Sequence, residues 1–256
     1  SDNRELALAC ASHSGEPVHV EVAGAMLQKA GLTSDALACG TQWPLESRIA
    51  RDLARSGGEP TQLHNNCSGK HAGMLAFARH IGADTKGYEN PDHPVQEAIR
   101  TALEEMTGEK LGQDVCGTDG CSVPTWAASL TGFARAFASI AGSDGLSEKR
   151  REAFRQLMAA CASEPHMVEG EGRFGTGIMR RFGSAAFVKG GAEGFYCAAF
   201  PEKGFGFALK IDDGARRGAE AAAAFTMAAI LLCDIGRSCE LYDRELKNWK
   251  GLKVGE

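Results

Sequence analysis

The apolar residues of this chain keep a helical period over most of its length and then switch to alternation. Up to about residue 183 they recur at three- and four-residue spacing, the mark of a helix face packed on a core. After that the period is that of strands. Phe205, Phe207, Leu209 and Ile211 alternate and cover one face. Residues 195–200 precede them across Glu202-Lys203-Gly204, a hairpin signal. Residues 186–189 read as a further strand that turns at Gly190-Gly191. Helices that come first and an antiparallel sheet that comes late make an α/β chain of the α+β kind.

In order, the pattern predicts a short helix opened by Asp2, then helices over 17–30, 44–56, a stretch ending at Ile81, 95–106, 126–141 and 148–163. In the helix over 44–56, Leu45, Ile49 and Leu53 face inward, and Arg48, Arg51 and Arg55 form a solvated row. Asn90 or Asp92 is expected to cap the helix that follows Pro94. Residues 142–145 read as a surface turn. The glycines at 170, 172, 175 and 177 suggest either a mobile loop near the substrate mouth or a segment that other groups approach closely. A long helix is expected over 215–235, a short one over 241–247, and the start of a strand at 252–254. No repeat or low-complexity tract occurs. The expectation is one domain over 1–256, helical to about 183 and sheet-and-helix from about 184.

A chain of 256 residues can bury a proper core. Its 43% hydrophobic and 24% charged residues are those of a globular protein. A net charge of −5 with no basic run argues against a nucleic-acid or membrane-surface partner. No apolar stretch of residues 1–256 is long enough to span a bilayer, and the expectation is a protein without a signal peptide. Nine scattered cysteines, an odd number, read as reduced thiols of a cytoplasmic protein rather than a disulfide framework.

Two glycine-containing loops hold most of the chemistry. The first is His64-Asn65-Asn66-Cys67-Ser68-Gly69-Lys70-His71-Ala72-Gly73, which runs into a helix. A helix start favours anions and lowers the pKa of a cysteine placed there. Cys67 and Lys70, three residues apart, share a face if the helix begins near Cys67. The second is Cys116-Gly117-Thr118-Asp119-Gly120-Cys121-Ser122-Val123-Pro124. Each loop also has an ordinary reading: Asn-Asn and Ser-Gly serve caps and turns, and a buried cysteine is often a small hydrophobe. Ser12-His13-Ser14-Gly15 between two helices is equally polar and equally usual as a helix connection.

The phrases HNNCSGKHAGML, GYENPDHPVQ and GTDGCSVP, with LALACASHSGEP, FVKGGAEGFYCAAFPEKGFGFALKIDDG and the closing NWKGLKVG, resemble the Rhizobium etli-type L-asparaginases, the asparaginase II family. The resemblance covers nearly the whole chain. It implies a fold similar to serine β-lactamases and penicillin-binding proteins, zinc as cofactor, and a homodimer. It implies hydrolysis of L-asparagine to L-aspartate and ammonia through a serine acyl-enzyme. Ser12 would be the serine that relays protons beside the nucleophile, and Lys189-Gly190-Gly191 the counterpart of the lysine-bearing strand of those folds. Cys67, Lys70 and Cys121 match the zinc positions, with water as the fourth ligand. Taken on chemistry alone that set is unusual, because a lysine ligand must be neutral. Asp119 would grip the substrate's ammonium, Lys189 its carboxylate, and His71 flanks the ligands on the substrate side.

The family's Ser-x-x-Lys element is not found within residues 1–256, and Cys67-x-x-Lys70 is the nearest imitation. The expectation drawn from this is a nucleophile and several N-terminal strands on a segment preceding the chain. Two alternatives stay open: an amidase with Cys67 as nucleophile and Lys70 as base, and a non-catalytic module that binds zinc or an amino acid.

Overall fold

A computed structural model describes residues 2–142, 145–232, 235–242 and 245–255. The chain forms two compact units, residues 1–189 with 197–208, and residues 190–196 with 209–256. In chain order the elements are α1 (Asn3–Ala9), α2 (Pro17–Lys29), α3 (Ser47–Arg55), α4 (Ser68–Ile81), α5 (Pro94–Thr107), β1 (Cys116–Thr118) and β2 (Pro124–Trp126). Then come α6 (Leu130–Gly142), α7 (Glu148–Ser163), α8 (Pro165–Val168), α9 (Phe174–Phe182), β3 (Phe187–Gly190), β4 (Phe195–Phe200) and β5 (Phe205–Lys210). Last are α10 (Arg216–Met227), β6 (Leu246–Lys247) and β7 (Lys253–Gly255). The class is mixed α/β with small sheets, as the change of period predicts.

The helices of the first unit begin and end for local reasons. Asp2 accepts the Glu5 N–H while the Glu5 side chain accepts the Asp2 N–H, a reciprocal cap that satisfies two orphan donors of α1. Gly82 and Gly108 end α4 and α5 with φ of 72° and 74°, where a side chain would be strained. The core of this unit gathers Ala7 and Leu8 of α1, Ala23 and Leu27 of α2, Ala72 and Leu75 of α4, and Met179 of α9, each 1% exposed or less. Packing between α1 and α4 is close enough that a Cβ on Gly69 would strike the carbonyl oxygen of Leu8. That approach fixes where the chain leaving α1 meets the start of α4.

β3, β4 and β5 form one sheet in that order, so β3 is an edge and β4 is central. Burial follows position: Tyr196 to Phe200 are all buried, whereas Lys189 on β3 is half-buried. A short turn over Pro201–Lys203, closed by Gly204, joins β4 to β5, a connection that suits antiparallel neighbours. Phe187 stacks on Phe137 of α6 with ring centroids 6.2 Å apart. In the second unit Arg216 and Glu220 pair one turn apart on α10, and β6 pairs antiparallel with β7.

Several expectations are corrected. Residues 124–126 are strand, and α6 starts only at Leu130, because residues 116–126 close a small antiparallel hairpin. Residues 168–177 are not a loose loop: α8 and α9 flank a short turn, and Val168, Gly175, Thr176 and Ile178 are buried. α3 starts at Ser47 rather than 44 and Leu45 before it is exposed, but the expected faces hold within it: Ile49 and Leu53 are half-buried and Arg48, Arg51 and Arg55 exposed. The cap of α5 is His93, whose side chain accepts the Val95 N–H. The long helix expected over 215–235 is α10 followed by a π-helical turn at Ala228–Leu232, with 233–234 outside the described residues. Of the helix expected over 241–247, Leu246–Lys247 is strand and 243–244 lie outside the described residues, as do 143–144 of the expected surface turn.

Candidate active site

Cys67 stands at the cap position of α4. Asn65 builds that start: its Oδ1 accepts the Cys67 N–H at 2.9 Å, while its Nδ2 donates to the carbonyl of Cys39 at 2.8 Å. Cys67, Lys70 and His71 then fall on one face of α4, at three- and four-residue spacing. The hairpin β1–β2 brings the second loop to them. Asp119 N–H donates to Val123 O and Ser122 N–H to Asp119 O, both at 2.9 Å, and Ser122 takes a left-handed φ of 77°. This tight turn directs Cys121 inward, where it is 3% exposed.

The two loops meet side chain to side chain. Lys70 Nζ donates to Cys121 Sγ at 3.2 Å, and Cys121 Sγ donates to Asp119 Oδ2 at 2.8 Å. Lys70 Nζ and Asp119 Oδ2 are 3.7 Å apart. The ligand atoms of Cys67, Asp119 and Cys121 all lie within 4.8 Å of one another. The neighbouring Cys121 thiol lowers the Cys67 pKa to about 7, against burial and with help from Lys70. The pairing with Cys67, together with burial, raises Cys121. Burial opposes the charge on Lys70, but Cys67, Cys121 and Asp119 outweigh it and raise its pKa. Asp119 is lowered overall: burial opposes its charge, and Cys121 and Lys70 prevail.

Zinc fits this donor set. Two cysteine sulfurs and a carboxylate oxygen are usual zinc ligands, whereas a lysine amine is an unusual one that binds only after losing its proton. Tetrahedral ligands at zinc distances are separated by about 3.3–3.8 Å, and the spacings here need only small adjustment to reach that. Cys67, Cys121 and Lys70 would hold the ion, with Asp119 beside them.

A second group surrounds the turn after α1. Ser12 N–H donates to Val168 O and His13 N–H to Asn66 O, both at 3.0 Å, so the turn is pinned between α8 and the first loop. Lys189 of β3 donates from Nζ to Ser12 Oγ at 3.0 Å. Burial lowers the Lys189 pKa, and Glu169, which opposes that shift, does not cancel it. Glu169 is 4% exposed and accepts the Gly175 N–H at 3.0 Å. Lys189 also feels the charges of Cys67 and Lys70, so the two groups belong to one electrostatic neighbourhood.

The profile of the L-asparaginase II family matches residues 1–256. The chain belongs to that family. No curated protein compared with it matches. Of the residues that the resemblance singles out, this L-asparaginase II family chain brings Cys67, Lys70, Asp119 and Cys121 into one cluster and Ser12 against Lys189. His71 is fully buried behind Cys121.

Sequence reasoning missed Glu169, hidden in a segment read as loop. It also missed Cys10 and Cys161, which share a hydrogen bond that lowers Cys10 and raises Cys161. Nothing in the spacing of 10 and 161 could have paired them. Tyr88, buried against His71, carried a weak signal in its turn-rich GYENPDHP setting.

Proposed function

We propose that the chain hydrolyses the side-chain amide of L-asparagine, giving L-aspartate and ammonia. Family membership supports an amidohydrolase, and the observation that carries the chemistry is the 3.0 Å bond between Lys189 and Ser12. Amide hydrolysis by a serine needs a base that can take a hydroxyl proton and return it to the leaving amine. A lysine made less basic by burial suits that task at neutral pH, and Ser12 is placed to pass the proton. In this reading a serine hydroxyl attacks the amide carbon and ammonia leaves with the relayed proton. Water then attacks the ester that remains. A β-lactamase-like arrangement, a homodimer and a cytoplasmic setting belong to the same reading.

Asp119 is proposed to receive the substrate's ammonium, and Lys189, beside its proton role, to stand near the carboxylate. Zinc, when bound by Cys67, Lys70 and Cys121, supplies a fixed positive charge that orients the substrate.

The test is ammonia release from L-asparagine by the purified protein, shown folded by circular dichroism and assayed for zinc. Turnover that is lost in Lys189→Met supports the reading; no turnover by the folded, zinc-loaded protein, either alone or extended by the preceding segment expected to carry the nucleophile, overturns it. One observation favours a second reading, a cysteine amidase: the Cys67 thiol is lowered to about 7 beside Lys70. Activity that survives without zinc and is abolished by thiol alkylation would decide for Cys67.

A further inference from the structure

Behind the cysteine cluster lie two buried polar side chains that no step above uses, Tyr88 and His71, which lead to Cys121. Tyr88, His71 and Cys121 are 1%, 0% and 3% exposed. The Ala38 N–H donates to the Tyr88 hydroxyl oxygen at 2.9 Å. The same hydroxyl lies 2.6 Å from His71 Nδ1, with the two rings edge to face.

The proton positions follow from counting donors. A backbone amide can only donate, so the phenol accepts from Ala38. The phenol has one hydrogen of its own. Among the described residues His71 Nδ1 is the acceptor that this hydrogen meets. If Nδ1 carried a hydrogen, two donors would converge on the phenol oxygen and the phenol hydrogen would be buried unpaired, at a cost of about 1–3 kcal/mol. A neutral imidazole whose Nδ1 accepts carries its hydrogen on Nε2. That nitrogen is fully buried and makes no well-formed hydrogen bond. Cys121 interacts with His71, and with Nδ1 engaged by Tyr88 the nitrogen left to face its sulfur is Nε2.

We propose that Tyr88 holds His71 as the Nε2–H tautomer and that His71 presents this hydrogen to the sulfur of Cys121. His71 is then a positioning residue for Cys121. It is not a substrate contact, since it is wholly buried. It is not a metal ligand through Nε2, since that nitrogen already bears a hydrogen. A metal that takes Cys121 as ligand displaces the hydrogen now directed at Asp119, and the sulfur is then open to accept the Nε2–H. Partners of this kind orient a ligand, and their loss weakens metal binding about 10–100-fold. The tautomer stands on the geometry alone; the consequence for the metal rests on the zinc reading above.

The experiment has two arms on the full chain. In the first, long-range nitrogen–proton correlation spectra of the metal-free, ¹⁵N-labelled protein at pH 7.5 give the tautomer of each imidazole, with His71→Gln identifying the His71 signals. Protonated Nε2 and unprotonated Nδ1 are expected, with loss of that preference in Tyr88→Phe. A protonated Nδ1 in the unsubstituted protein overturns the proposal whether or not the variants fold. In the second arm cobalt(II) is titrated and its thiolate charge-transfer band is recorded. A 10–100-fold weaker cobalt affinity with a displaced band is expected in His71→Gln and in Tyr88→Phe, about the loss that removing such a partner brings. An unchanged affinity and band in a folded His71→Gln overturns the positioning role. An unsubstituted protein that takes up neither cobalt nor zinc refutes the zinc reading, while the spectra of the first arm still decide the tautomer.

Discussion

Lys189 Nζ and Ser12 Oγ meet at 3.0 Å although 177 positions separate them in the chain. The edge strand β3 supplies the lysine and the turn after α1 supplies the serine. Two backbone hydrogen bonds to Val168 and Asn66 flank the turn and hold it in place. A bond built this way is sensitive to any movement of α1, which is why distant packing enters the predictions below.

The first prediction concerns protonation of this pair. Burial lowers Lys189, so its neutral form is present at lower pH than for an exposed lysine. If Lys189 must be neutral to accept a proton, kcat/KM rises with pH and levels off below the ordinary lysine range. Lys189→Met and Ser12→Ala should each lower kcat by about 10²–10⁴-fold with circular dichroism unchanged. A pH profile whose rising limb persists in Lys189→Met would remove the lysine from the proton path.

Asp119 should act mainly on binding. Its carboxylate is held ionised beside Lys70 and Cys121, and more than a third of its side chain reaches solvent. Asp119→Asn keeps the size and removes the charge that would meet an ammonium. KM for L-asparagine should rise about 10–100-fold, the worth of a charge-assisted hydrogen bond, while kcat changes little. The comparison needs equal zinc content in both proteins, and an unchanged KM would exclude Asp119 from the substrate's ammonium.

How far these positions can be read from the sequence depends on how local each one is. Helix α7 covers the residues its spacing predicts, and β4 covers 195–200 as expected, because both carry several repeats of their period. The hairpin at 116–126 has strands of three residues, too short to show alternation, so the pattern runs the neighbouring helix over its end. Glycines at 170–177 allow either looseness or close approach, and the structure takes the second: a Cβ on Gly175 would meet the Glu169 carboxylate at 2.6 Å. Cys67 and Lys70 are neighbours on one helix turn, so their partnership is legible from spacing. The contacts Ser12–Lys189, Cys10–Cys161 and Tyr88–His71 join distant segments, and only a resemblance or a structure can supply such pairs.

The buried histidines His13 and His19 predict an acid-sensitive fold. Their rings stack with centroids 4.7 Å apart. Each accepts a backbone N–H at Nδ1, from Gly15 and Glu16, and each has its Nε2 hydrogen engaged, with Ser68 Oγ and His166 O. Burial lowers both pKa values, His13 strongly; His19 and then His64 repel charge on His13, while at His19 the hydrogen bond to the His166 carbonyl and then Glu16 offset part of the shift. The unfolded chain therefore binds more protons than the folded one below about 6.5. Stability is full above that value and falls as pH drops below it, by up to about 1.4 kcal/mol per pH unit for each histidine. Urea midpoints at pH 7.5 and 5.5 test this, since few carboxylates titrate in that window. Equal midpoints would mean that these rings are not held neutral.

Three glycine substitutions test the link between packing and site. Gly24 lies within α2, and a methyl group added there would meet open space, so Gly24→Ala should stabilise by about 0.5–1 kcal/mol through helix propensity alone. Gly73 on α4 would place its methyl 3.3 Å from that of Ala9, and Gly73→Ala should be near neutral because the two effects oppose. Gly69 is different: the methyl would strike the Leu8 carbonyl and side chain, which can yield only if α1 moves. Gly69→Ala should therefore destabilise by about 1–3 kcal/mol. Four residues beyond Leu8 stands Ser12, so the same displacement should lengthen its bond to Lys189. Urea unfolding and ammonia release measured on the three variants separate the outcomes. A Gly69→Ala protein as stable and as active as the parent would show that α1 does not transmit its packing to Ser12. A loss of kcat larger than the loss of stability explains, with Gly73→Ala unaffected, is the result that this geometry requires.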